Sequence, residues 1–274
     1  MPFALVNGTR LNYQICGKGP PIVLTHGFQS SMFVWTPVLD SLAKRFQVIS
    51  WDLRGHGDSE KPAGPYRIQN FSDDLLGLLD ALKLDKANLI GHSMGGRTSV
   101  LFAMEHGDRL DRLMLVAASA GAPSGAYRER FESLLRIAQE EGMEAVLAHR
   151  LTQGFIPPAL REGPFAEEYR ERYLKNTPET YAATANALFT MPDLTGRLGE
   201  ISSPTWICYG ENDAGPLTFN EIFLKRIPDC SGAIIPGSDH FPMWDNTDTF
   251  LSKLDSFLGK GMSRSVLKLK GGPW

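Results

Sequence analysis

Apolar runs rich in β-branched residues recur along the chain as PPIVLTHG, FQVISWD, ANLIGHS, RLMLVAAS, PTWICYG and SGAIIPG. The stretches between most of them have helical spacing or room for a helix. Such alternation of strand and helix predicts an α/β fold built on a mostly parallel sheet flanked by helices. Two earlier runs, FALVN and RLNYQICG, flank Gly8 and Thr9 closely enough for a hairpin. The sheet is therefore expected to open with an antiparallel pair, giving eight strands in all.

The alternation breaks after Ser119, and no convincing strand follows until PTWICYG. Apolar residues instead recur at helical spacing: Tyr127, Phe131, Leu134, Leu135 and Ala138 share one face, as do Met143, Val146, Leu147 and Leu151. Phe165, Tyr169 and Tyr173 form a third face, and Tyr181, Ala185, Leu188 and Phe189 a fourth. The pattern predicts a four-helix cap inserted after the sixth strand, placed to roof a substrate pocket. The expected division is a core of residues 1–119 and 197–260, a helical cap of 120–196 and a basic, glycine-containing tail of 261–274.

Composition narrows the function classes. With 28 Lys and Arg against 31 Asp and Glu, the formal net charge is -3 and no basic field is available for a phosphate backbone, so nucleic acid is excluded as a partner. Pro20 to Leu39 is uncharged, but its polar residues would be unsatisfied in lipid, and no segment is expected to span or bind a membrane. The opening residues lack a cationic segment followed by an apolar stretch, which places the protein in the cytoplasm. Cys16, Cys208 and Cys230 are odd in number and widely spaced, and read as buried, reduced thiols. Neither metal-ligand spacing nor a dinucleotide fingerprint is present, so no cofactor is called for.

Candidate chemistry centres on Gly91-His92-Ser93-Met94-Gly95, which stands directly after the apolar run ANLI and before the helical stretch TSVLFAMEH. Small residues on both sides of a serine allow a sharp strand-to-helix turn that exposes its hydroxyl. A serine hydroxyl is a weak nucleophile without a base in reach and a third group to orient that base. Among the six histidines, His240 lies just past the run SGAIIPG, in a loop able to reach the carboxyl edge of a parallel sheet. His106 and His149 fall in helices as surface or packing residues, His56 in a glycine turn, His92 inside the elbow, and His26 at a strand end as a brace. Asp213 follows PTWICYG and supplies the acid in the order Ser, Asp, His, with Glu211 and Asp239 as rivals.

On these motifs the chain resembles the α/β-hydrolases of the carboxylesterase and lactonase kind, over residues 1 to 260. His26-Gly27-Phe28 resembles that family's oxyanion loop, and Asp52-Leu53-Arg54-Gly55-His56-Gly57-Asp58-Ser59 its glycine turn. The resemblance implies an oxyanion hole made by the backbone N–H groups of Phe28 and Met94. Ser238-Asp239-His240 departs from the glycine that relatives usually carry just before the histidine. Serine at the elbow also separates the chain from the related haloalkane dehalogenases and epoxide hydrolases, which use an aspartate.

The leading expectation is a carboxylesterase that cleaves small to medium uncharged esters or lactones through an acyl-enzyme. Phe28, Phe33, Trp35, Trp244 and the aromatic faces of the cap are candidates for its substrate pocket. Arg97 supports an alternative, because Ser93-Met94-Gly95-Gly96-Arg97 is similar to the elbow of a menaquinone-pathway lyase, in which an arginine would bind substrate carboxylate. Carbon-carbon bond hydrolases share the same three residues. A non-enzymatic scaffold would be favoured by the loss of one of them, and all are present.

Overall fold

A computed structural model describes residues 2–153, 156–213 and 217–259. Eight strands form one sheet: β1 (Phe3–Val6), β2 (Thr9–Cys16), β3 (Pro21–Thr25), β4 (Gln47–Trp51), β5 (Ala87–His92), β6 (Leu110–Val116), β7 (Thr205–Gly210) and β8 (Cys230–Ile235). Their order across the sheet is β1-β2-β4-β3-β5-β6-β7-β8. β1 pairs with β2, and β2 with β4, antiparallel; every pairing from β4 to β8 is parallel. Every residue of β5 and β7 is buried, which is why these strands read as continuous apolar runs instead of alternating ones.

The helices are α1 (Thr36–Ala43), α2 (Ile68–Ala81), α3 (Met94–Glu105), α4 (Gly125–Glu141), α5 (Met143–Thr152), α6 (Pro158–Arg161), α7 (Ala166–Tyr173), α8 (Pro178–Phe189), α9 (Leu217–Arg226), α10 (Pro242–Asp245) and α11 (Thr247–Leu258). Side chains alternate across the sheet and so build two apolar layers. Val23, Ile49, Leu89, Leu113 and Ile207 pack on one face with Phe71 and Leu75 of α2 and Phe102 of α3. Ile22, Leu24, Val48, Ile90 and Met114 pack on the other with Val38 of α1 and Phe250 and Leu254 of α11.

Among the described residues, five helices, α4 to α8, lie between β6 and β7 where four apolar faces predict four. The additional one, α6, spans four residues opened by Pro157 and Pro158, too short for periodicity to reveal a face. Both ends of the insertion meet at a neck, where the Leu194 N–H donates to the Ala120 carbonyl at 2.8 Å. Cys208 is buried as expected, but Cys16 and Cys230 are only partly covered, at the end of β2 and the start of the edge strand β8. No helix among the described residues is long and apolar enough to cross a membrane. The basic tail falls outside the described residues.

Candidate active site

The turn from β5 into α3 forces Ser93 into a conformation that L-residues seldom adopt, with φ 54° and ψ −114°. Hydrogen bonds on both sides hold it there. Ser93 N–H donates to the Val116 carbonyl at 2.8 Å, and Arg97 N–H donates to the Ser93 carbonyl at 3.1 Å. The flanking glycines are required by close approach: a Cβ at Gly91 would strike the Gly95 carbonyl, and one at Gly95 would strike the carbonyls of Thr25 and His26. Residue 93 therefore stands out from the elbow at the N-terminus of α3.

Beyond the ends of β7 and β8, two loops converge on that serine. His240 Nδ1 lies 2.8 Å from Asp213 Oδ2, and His240 Nε2 lies 3.0 Å from Ser93 Oγ. An ionised carboxylate can only accept, so Nδ1 carries the hydrogen and Nε2 is left bare to accept the serine hydroxyl. Asp213 is only 8% exposed, which keeps water from competing for its oxygen. Neither rival carboxylate is the hydrogen-bond partner of His240 Nδ1. Glu211 accepts the Gly237 N–H at 2.9 Å, tying the ends of β7 and β8 together, while the Asp239 N–H donates to Asp245 Oδ2 at 3.0 Å.

The loop after β3 packs directly against the elbow, such that a Cβ on Gly27 would come 3.0 Å from Ser93 Cβ. His26 fastens this loop: Nδ1 lies 2.8 Å from the Gly27 carbonyl, and the Leu53 N–H donates to Nε2 at 3.0 Å. A ring nitrogen that accepts cannot be protonated, and burial accordingly lowers the His26 pKa to about 4. His56 meets His26 edge to face at 5.1 Å and is lowered to about 3, again chiefly by burial.

Beside Ser93 opens a cavity of about 360 Å³, in the range that small ligands occupy. Gly27, Phe28, Ser93, Asp213, Asp239 and His240 line it from the sheet side; Tyr127, Arg130, Phe131 and Leu134 of α4, with Arg150 of α5, line it from the insertion. Phe28 joins the two walls, packing edge-on against Phe131 at 5.3 Å and Tyr181 at 4.9 Å.

Of the aromatic candidates read from the sequence, Phe28 lies on this wall together with Tyr127 and Phe131 from the aromatic faces of the insertion, whereas Phe33, Trp35 and Trp244 do not. Trp35 is fully buried in the layer on the opposite face of the sheet, against α1 and α11. Trp244 donates its indole N–H to the Val34 carbonyl at 2.8 Å and packs on Phe33 and Phe165. Arg97, 7% exposed, lies within α3 and not on the cavity wall. Its pKa is lowered by burial and held up in part by Tyr127, and its Nη1 has no hydrogen-bond partner among the described residues.

The arginines that do line the cavity, Arg130 and Arg150, are absent from the sequence expectations, although their positions carry a signal. Arg130 sits three residues after Tyr127 and four before Leu134, on the apolar stripe itself; Arg150 sits three residues after Leu147 and four after Val146. A charge inside an apolar stripe marks a position where something other than packing is being served.

The profile of the alpha/beta hydrolase fold family matches residues 20–247. The enol-lactonase of Burkholderia xenovorans LB400 is 31% identical, with 94% of this chain and 100% of that one covered at a TM-score of 0.86. A thermophilic esterase of Thermogutta terrifontis is 28% identical over 94% of this chain and 97% of its own, at a TM-score of 0.84. A putative carbamate hydrolase of Azorhizobium caulinodans is 30% identical over 95% of this chain and 99% of its own. With this match across most of its length and an eight-stranded sheet to carry it, the chain belongs to the α/β-hydrolase fold family and is a hydrolase.

Proposed function

We propose that the protein is a serine hydrolase that cleaves a carboxylic ester or lactone through an acyl-enzyme. The observation that carries this reading is the hydrogen-bonded chain Ser93, His240, Asp213 opening onto the cavity. Ser93 Oγ attacks the carbonyl carbon while His240 Nε2 takes its proton, and Asp213 holds the ring in the tautomer that can do so. The oxyanion then faces the backbone N–H groups of Phe28 and Met94, fixed dipoles that need no reorganisation as charge develops. Met94 is the first residue of α3, whose N–H has no partner within the helix, and the helix dipole adds to the same effect. As the tetrahedral intermediate collapses, the protonated His240 gives its proton to the departing alcohol oxygen. A water deprotonated by His240 next attacks the acyl carbon and releases the acid and free Ser93.

Residues 120–196 serve in this reading as a cap over a core of 1–119 and 197–260, excluding water from the acyl-enzyme. The enol-lactonase and esterase likenesses support ester or lactone cleavage ahead of carbon-carbon cleavage or elimination. Placement of Arg97 off the cavity wall removes the feature that favoured the lyase alternative. No metal or organic cofactor has a part in these steps.

The test is Ser93→Ala assayed on p-nitrophenyl butyrate. Loss of turnover with an unchanged thermal transition is expected; retention of more than about a hundredth of the wild-type kcat would overturn the reading.

A further inference from the structure

Charge is unevenly distributed around the cavity. Its sheet side carries Asp213, Asp239 and the rings of His92 and His240; its insertion side carries Tyr127, Arg130 and Arg150, with no acidic side chain among the described residues of that wall. Arg150 is half-buried, its Cζ lies 5.7 Å from the centre of the Tyr173 ring, and its Nε is enclosed with no hydrogen-bond partner among the described residues. No carboxylate among the described residues pairs with it. Neighbouring Arg130 has its pKa lowered by burial and then by the Arg150 charge, the mark of two like charges held close together in a poorly solvated place. Tyr127 lies within electrostatic reach of Arg97, Arg130 and Arg150 on one side and of Asp213 on the other.

A guanidinium such as that of Arg150, facing no carboxylate among the described residues, is costly to desolvate without an anion, and Arg130 adds a second positive charge to the same cavity wall. With the arginines on the insertion wall and Asp213 and Asp239 on the sheet wall, the lining favours one kind of ligand: a molecule carrying an anionic group beside the arginines and a reacting carbonyl beside Ser93. A planar guanidinium matches a carboxylate, donating two parallel hydrogen bonds to its oxygens.

We infer that the substrate is a small ester or lactone bearing a free carboxylate, which Arg130 and Arg150 bind while its ester carbonyl meets Ser93. This rests on the serine hydrolase reading and replaces the uncharged substrate expected from the sequence. Asp213 and Asp239 on the sheet wall disfavour a carboxylate there, so the polarity of the lining also fixes which way round the substrate lies.

Hydrolysis of mono-p-nitrophenyl glutarate, whose acyl chain ends in a free carboxylate, is compared with that of its neutral methyl ester. Wild-type enzyme is expected to favour the anion at least about tenfold in kcat/KM, with the preference shrinking as ionic strength rises. Arg150→Met should cut the anion-to-neutral ratio by about tenfold or more, and Arg130→Gln should cut it to a lesser degree. Arg150→Lys, which keeps the charge but not the fork, should restore part of it. Equal turnover of the two esters, or a ratio unmoved in folded Arg150 and Arg130 variants, would overturn the inference while leaving Ser93-dependent hydrolysis intact. Failure of both esters to show Ser93-dependent turnover would overturn the hydrolase reading instead. Should the variants not fold, the wild-type ratio decides, together with competitive inhibition of neutral-ester hydrolysis by glutarate but not by glutaramide.

Discussion

Nε2 of His92 lies 2.8 Å from the carbonyl oxygen of His240, so the residue immediately before Ser93 holds the backbone of His240. A carbonyl only accepts, which puts the hydrogen on Nε2 and makes His92 a neutral donor; burial and then the nearby His240 keep its pKa well below the usual histidine value. The two rings also lie 5.0 Å apart, and Phe241 packs on His92 at 4.9 Å. His92 is thus a positioning residue. His92→Phe keeps the ring packing and removes one hydrogen bond, which contributes about 0.5 to 1.5 kcal/mol. kcat should fall about three- to tenfold with KM little moved, since the loss is one of base alignment. Steady-state kinetics on a neutral p-nitrophenyl ester reads this; a rise in KM with kcat preserved would show that the contact serves binding instead.

Three carboxylates stand near His240, and their contacts separate them. Asp213→Asn keeps the shape but reverses the preferred ring tautomer, and should lower kcat on the order of 10⁴-fold. Glu211→Gln and Asp239→Asn should cost far less in kcat, because the first ties two strand ends and the second engages Asp245 through its backbone. A larger kcat loss in either of these would move the third position of the catalytic chain.

Gly95 lies where α3 passes over the end of β3, and a methyl group there would meet two backbone carbonyls that cannot turn aside. Gly95→Ala should lower stability by about 1 to 3 kcal/mol by overpacking, and displace the elbow. Gly107→Ala, whose added methyl would find its nearest neighbour at 3.8 Å, is the control and should be near neutral. Thermal unfolding of both variants compares them directly; equal transitions would remove the close-approach argument.

Burial of neutral histidines makes stability depend on acid. His26 and His56, lowered from 6.5 to about 4 and about 3, stay unprotonated in the fold at a pH where the unfolded chain binds protons. Stability is therefore fully present above about pH 6.5 and falls as pH drops through the window below it, by about 1.4 kcal/mol per pH unit for each such histidine. Asp245 works the other way. Burial raises its pKa from 3.8 to about 6, so its protonated form favours the fold and offsets part of the loss between those values. Denaturant unfolding at pH 7 and pH 5 should show a clearly lower free energy at pH 5. An equal or higher value would contradict neutral burial of the histidines.

Much of this was legible in the sequence, for physical reasons that also mark where reading stops. Strands buried on both faces announce themselves as unbroken apolar runs, and Ser93 and Asp213 each follow such a run, while His240 follows the partly exposed edge strand β8, so the pattern that defines the sheet also locates the residues at its edge. Trp35 and Trp244 were misread because an aromatic side chain lowers free energy equally well in a core and in a site, and nothing local says which face of the sheet it covers. Arg130 and Arg150 escape a periodicity reading because the apolar positions of α4 and α5 carry the helical signal and a charge within the stripe adds nothing to it. His92 carries no signal of its own beyond its place in the elbow, since its partner lies 148 residues away in the chain.

The clasp between Leu194 and Ala120 makes residues 121–193 a closed loop on the scaffold, entering and leaving at one point. Ser93, Asp213 and His240 all lie outside that loop, whereas Tyr127, Arg130, Phe131 and Arg150 lie within it. Evolution, or a protein engineer, can therefore exchange the loop as a cassette, redrawing one wall of the cavity while Ser93, Asp213 and His240 keep their spacing. Its further ties to the scaffold, from Asn186 to the Tyr66 carbonyl at 2.8 Å and from Lys175 to Asp58 at 2.6 Å, mark the seams that such a graft would have to respect.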